Sequence, residues 1–153
     1  MSRFLIAGTF DLLHVGHTNL LHRSIINQND DYIIAVTTDD YTTEYKQIML
    51  AENEEIRITN VKNYCMTNFP NNNFQFILSN GNWEKIYHKY KITHIIHGND
   101  WPRETYIDHM NRKAIDELGI DVVLVPHTPG ISSTMIRLNL LSNITKNDTC
   151  IDE

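Results

Sequence analysis

Arg3-Phe4-Leu5-Ile6-Ala7 runs directly into Gly8-Thr9-Phe10-Asp11-Leu12-Leu13-His14-Val15-Gly16-His17. The short apolar run closed by a glycine reads as a buried strand. From Gly16 to Ile26 the residues Leu20, Leu21, Ser24 and Ile25 recur at helical spacing, with polar residues between them. Strand, glycine-bearing loop and helix start together make the opening of a βαβ unit. The same alternation continues along the chain. Strands are predicted at Asp31 to Val36, Phe74 to Leu78, Ile92 to His97 and Asp121 to Val125. Helices are predicted at about Ala51 to Tyr64, Trp83 to Tyr90, Tyr106 to Leu118 (ended by Gly119) and Ser132 to Leu141. Thr37 to Leu50 is polar and shows no period, and Asn68 to Asn73, with Pro70, is a turn cluster.

Strands spaced by helices predict an α/β fold with a five-stranded parallel sheet and helices on both faces. The chain of 153 residues shows no repeat or linker, so one domain over 1–141 is expected, followed by a loose polar tail over 142–153. In such sheets ligands bind beyond the carboxyl ends of the strands, at the topological switch point. The loops after the first, second, fourth and fifth strands therefore carry the candidate chemistry.

Composition narrows the function. Hydrophobic residues at 41% and charged residues at 21% are ordinary for a soluble globular protein. No apolar run approaches the ~18 residues of a membrane span, and no signal-peptide core precedes the first strand, so no membrane insertion is expected. Thirteen basic against nineteen acidic residues, a net charge of −6, argues against a nucleic-acid surface. A small anion needs only a local cluster of donors, and stays open. Cys65 and Cys150 have no metal-ligand spacing and read as free thiols of a reducing cytoplasm. A Gly-x-Gly-x-x-Gly run is missing after the first strand, which disfavours a dinucleotide dehydrogenase.

His14 and His17 flank Gly16 where a helix begins. Glycine admits a ligand to the backbone, and a helix start offers unpaired N–H groups to an anion. Two imidazoles there can donate to phosphate oxygens as charge builds in a transition state; a capping histidine beside a packing one is the alternative. Ser132, Ser133 and Thr134 open the last predicted helix, where hydroxyls and free N–H groups can hold phosphates or simply cap the helix. Arg137 lies about one turn further and adds a guanidinium fork. Gly98-Asn99-Asp100-Trp101 follows a buried strand and can wall a base or ribose. His22, His88 and His109 read as surface or helix-face residues. His94 and His97, three apart in a strand, face opposite sides.

The motif from Gly8 to His17 resembles the signature of the cytidylyltransferase branch of the HxGH nucleotidyltransferases. The likeness continues in Asn82-Trp83-Glu84, in Gly98-Asn99-Asp100-Trp101 and in Gly130-Ile131-Ser132-Ser133-Thr134-x-Ile136-Arg137. It is greatest toward the glycerol-3-phosphate cytidylyltransferases. The resemblance implies a Rossmann-like nucleotidyltransferase fold, commonly homodimeric, that transfers CMP from CTP to a phosphate-bearing acceptor such as glycerol 3-phosphate. Mg²⁺ would be carried on the triphosphate, with no metal ligands on the protein. It implies catalytic roles for His14, His17, Lys46 and Arg137. It gives the nucleotide to Gly8, Thr9, Phe10, Asp11, Gly16, Gly98, Asp100, Trp101, Gly130, Ile131, Ser132, Ser133 and Thr134, and the acceptor to Arg57 and His127.

This chain departs from that pattern in places. His127-Thr128-Pro129 stands where those enzymes tend to have arginine, threonine and glutamate. Gln47 or Ile48 replaces a second lysine, and an arginine expected late in the next helix falls near Cys65. These changes bear on the acceptor more than on the reaction.

Overall fold

A computed structural model describes residues 2–128 and Ile136. The strands are β1 (Arg3–Gly8), β2 (Asp31–Thr37), β3 (Asn73–Ser79), β4 (His94–Gly98) and β5 (Asp121–Val125). The helices are α1 (Val15–Ser24), α2 (Asp39–Lys46), α3 (Glu54–Asn68), α4 (Trp83–Tyr90), α5 (Arg103–His109) and α6 (Arg112–Leu118). The sheet is wholly parallel, in the order β3-β2-β1-β4-β5. The chain winds outward from β1 to β3, then returns to place β4 on the other side of β1. The switch point lies between β1 and β4 at their carboxyl ends, where a ligand crevice opens.

Alternate residues of each strand feed two cores. Leu5, Ala7, Ile33, Ala35 and Ile95 face α4, α5 and α6 through Ile86, Tyr87, Ile107 and Ile115. Ile6, Ile34, Val36 and Ile96 face α1 and α3 through Leu21, Val61 and Cys65. Burial on both faces explains why the inner strands β1, β2 and β4 read as continuous apolar runs rather than alternating ones. Burial also pushes the Cys65 thiol up to about 12, so it packs as a small apolar group.

Two elements differ from the sequence reading. Asp39–Lys46 is helical although polar throughout. Thr38 caps it by accepting from the Tyr41 N–H, and the buried Thr42 hydroxyl bonds Thr37 at 2.6 Å. The segment predicted as one helix from Tyr106 to Leu118 is two. Asn111 turns the backbone left-handed at φ 72°, and its side chain accepts from the Ala114 N–H to start α6. Apart from Ile136, which is helical, the predicted helix from Ser132 to Leu141 and the tail lie outside the described residues.

Candidate active site

The loop after β1 is held in an unusual shape. Phe10 and Leu12 have φ of 54° and 52°, a region that side chains with Cβ rarely enter. Three groups impose it from behind. Asp11, fully buried, accepts from the N–H groups of Ala51 and Glu52, each at 3.0 Å. The Glu52 carboxylate accepts from the Leu12 N–H at 2.7 Å. Arg57, with no exposed surface, donates to the carbonyls of Thr9 and Thr37 at 2.8 Å, to that of Glu52 at 3.1 Å and to the Asp39 carboxylate at 2.7 Å. The expected acceptor-binding role of Arg57 is thus corrected by geometry: its guanidinium is spent inside the fold and does not line the cavity.

His14 caps α1 with its own ring. Its Nδ1 accepts from the Gly16 N–H at 3.0 Å, and its backbone N–H donates to Nδ1 of His17 at 3.3 Å. The two imidazoles stack with centroids 3.7 Å apart. A ring nitrogen that accepts carries no proton, so each neutral ring keeps its proton on Nε2. Burial favours that neutral form. His17 is pushed down to about 3 by burial first, then by His14 and Lys46, and His14 is lowered by burial. The result is a pair of fixed, uncharged N–H donors.

Both histidines border a cavity of about 640 Å³ over the switch point. The loop after β1 contributes Gly8, Thr9, Phe10 and Asp11, and α1 contributes Gly16. Lys46, the last residue of α2, reaches the cavity and donates to the Thr9 hydroxyl at 2.9 Å. Gly98, Asp100 and Trp101 border it from the loop after β4, and His127 from the loop after β5. Asn99 joins those two loops. Its N–H donates to the Val125 carbonyl, and its side-chain oxygen accepts from the His127 N–H, both at 2.9 Å. At Gly98 a Cβ would stand 3.0 Å from the Asp100 carboxylate and 3.5 Å from His127 Cβ, so both side chains lean over a bare backbone. Gly130, Ile131, Ser132, Ser133, Thr134 and Arg137 lie outside the described residues.

Sequence reasoning missed an aromatic wall of this cavity. Tyr45, Trp83, His97, Tyr106 and His109 all border the cavity. His109, read as a surface or helix-face residue, ends α5 and lies 5.0 Å from the Trp101 ring and 4.9 Å from that of Tyr45. His97 stacks on Tyr106 at 4.1 Å, whereas His94 packs on Phe4 in the other direction, as their spacing predicts. Burial lowers the pKa of His97 and of His109, and Lys46 lowers both further. Lys46 Nζ lies 5.7 Å from the Tyr45 ring, at the edge of this wall. Among the described residues no group of three or more His, Cys, Asp or Glu is placed to hold a metal ion, and no helix is long and apolar enough to cross a membrane.

The model of the cytidylyltransferase-like family matches residues 5–139. The chain belongs to that family. It is a nucleotidyltransferase by that membership. The glycerol-3-phosphate cytidylyltransferase of Bacillus subtilis is 31% identical, over 90% of this chain and 95% of that protein. The enzyme of the same name from Bacillus spizizenii is 28% identical, over 93% of this chain and 99% of its own. Among solved structures, a protein of unknown function from Archaeoglobus fulgidus superposes with a TM-score of 0.61 at 25% identity, covering 86% of this chain and 94% of that one. Membership of the family fits the observed parallel sheet and the site at its switch point.

Proposed function

We propose that this nucleotidyltransferase moves CMP from CTP to a small phosphorylated alcohol, glycerol 3-phosphate foremost, and releases pyrophosphate. The observation that carries the reading is the fixed tautomer of the His14–His17 pair beside Lys46. A phosphate oxygen of the acceptor attacks the α-phosphorus in line, the bond from that phosphorus to the bridging oxygen breaks, and the electron pair leaves with pyrophosphate. The nucleophile is already an anion, so no base is required. What the transition state needs is neutralisation of charge on the phosphoryl oxygens. Two Nε2–H donors held by backbone meet that need without reorganising, and Lys46 adds a positive charge. CTP enters as its Mg²⁺ complex, the ion riding on the triphosphate.

Gly8, Thr9 and Gly16 are assigned to the phosphates, and Gly98 with Asp100 to the base and ribose. Ser132, Ser133, Thr134 and Arg137 take the β- and γ-phosphates in this reading. His127, given to the acceptor by the sequence, stands against Gly98 and Asn99; that place suits the nucleotide better, and we assign it there. The enzyme is read as a cytoplasmic homodimer. An acceptor screen with CTP and with ATP, followed by pyrophosphate release, tests the proposal. Release that requires CTP and a phosphorylated alcohol supports it. Release with ATP alone sinks the nucleotide assignment, and no release with any pair sinks the reaction.

A further inference from the structure

The aromatic wall contains a polar atom that the fold leaves unused. The Tyr106 hydroxyl is buried without a hydrogen-bond partner, on a residue only 2% exposed that borders the cavity. A buried, unpaired polar group costs about 1–3 kcal/mol, and folded proteins tolerate few. The neighbouring Tyr87 shows the ordinary solution, since its hydroxyl donates to the Met110 carbonyl at 2.6 Å. Tyr106 has no such carbonyl. Its ring is clamped instead by His97 at 4.1 Å and by the edge of Trp101 at 5.9 Å, so the phenol cannot swing away to solvent. Burial keeps it protonated, with Tyr45, Asp100 and Tyr41 within electrostatic reach. The chain of ring contacts continues from Trp101 to His109 and from His109 to Tyr45, whose ring lies 5.7 Å from Lys46 Nζ. A donor lacking a partner thus stands at one end of a wall whose other end is a cation.

We propose that Tyr106 is a specificity-determining residue that pairs with a hydroxyl of the acceptor, whose phosphate lies toward Lys46 and whose carbon chain lies along His109 and Trp101. This rests on the function proposed above and adds a requirement to it. The acceptor is a polyhydroxyl phosphate with no charge on its carbon chain, since an alkyl phosphate without hydroxyls leaves Tyr106 unpaired. A quaternary ammonium phosphate is disfavoured too. Aromatic faces attract such cations, but Lys46 Nζ, 5.7 Å from the Tyr45 ring at the end of this wall, repels them.

The test compares glycerol 3-phosphate, n-propyl phosphate and phosphocholine as acceptors at saturating CTP, in the parent and in Tyr106→Phe. The parent should prefer glycerol 3-phosphate over propyl phosphate by about 100-fold or more in kcat/KM, because sites built to bond a hydroxyl reject analogues lacking it. Tyr106→Phe should narrow that gap about tenfold by raising KM for glycerol 3-phosphate, with KM for CTP unchanged. The variant should also melt no lower than the parent, since it loses an unpaired group. An unchanged ratio in Tyr106→Phe, or a parent that prefers phosphocholine, overturns the proposal. If no acceptor is turned over, the function reading fails separately, and heat decides the wall. Glycerol 3-phosphate must then raise the Tm of the parent more than that of Tyr106→Phe, and equal shifts contradict the assignment.

Discussion

Arg57 donates from Nη1 to the carbonyl of Thr9 at 2.8 Å, from a side chain with no exposed surface. A second bond from the same nitrogen reaches the Thr37 carbonyl at 2.8 Å. One buried cation therefore ties the loop after β1 to the end of β2, and so sets where Thr9 and Lys46 meet. Its charge is balanced by Asp39, which is partly exposed.

Replacing Arg57 leaves these carbonyls and the Asp39 carboxylate without their donor. Arg57→Met is expected to cost about 3–5 kcal/mol of stability, in the range for breaking a buried pair. Lysine should not restore it, because a single ammonium cannot also make the bonds that Nε and Nη2 give to the Glu52 carbonyl and the Asp39 carboxylate. Urea unfolding of both variants checks this. A variant of parental stability with only a raised acceptor KM would return Arg57 to the substrate.

Asp11 is the second anchor, accepting from the Ala51 and Glu52 N–H groups at the start of the segment leading into α3. Asp11→Asn keeps one acceptor oxygen and turns an amide group toward a backbone N–H. The expected loss is about 1–3 kcal/mol, with faster amide hydrogen exchange at Ala51 and Glu52. Unchanged exchange at those positions contradicts the anchoring role.

The depressed pKa of His17 has a consequence for acid stability. The unfolded chain takes up this proton near ~6.5, the folded chain only near about 3. Between those values the unfolded state binds more protons, so stability falls as pH drops through that interval. His14 acts in the same direction. His17→Asn keeps an acceptor for the His14 N–H but cannot be protonated there. Its urea midpoint should fall less steeply than the parent's between about pH 6.5 and 4. Parallel slopes would show that His17 is not held neutral.

The inner strands β1, β2 and β4 were legible because strands buried on both faces must be apolar throughout. The histidine pair was legible because the strand–loop–helix junction is local in sequence. The helix α2 was not legible. Its residues from Asp39 to Tyr45 carry no apolar stripe, and its place is fixed by Thr42 bonding Thr37 and by the Thr38 cap. Arg57 misled for a related reason, since a sequence shows a cation but not the carbonyls that absorb it. His109 was hidden by the break at Asn111, a left-handed turn that no glycine announced. That break ends α5 at His109, beside Trp101 and Tyr45.

The central claim is that a neutral, backbone-oriented His17 stabilises charge as the nucleotide is transferred, more than it holds the substrate. The direct measurement is kcat for pyrophosphate release by His17→Ala beside its CTP affinity. The account predicts a ~10²–10³-fold fall in kcat with CTP affinity little changed, the pattern for an interaction made mainly in the transition state. A variant with near-parental kcat, or one whose whole loss lies in CTP binding, would contradict it.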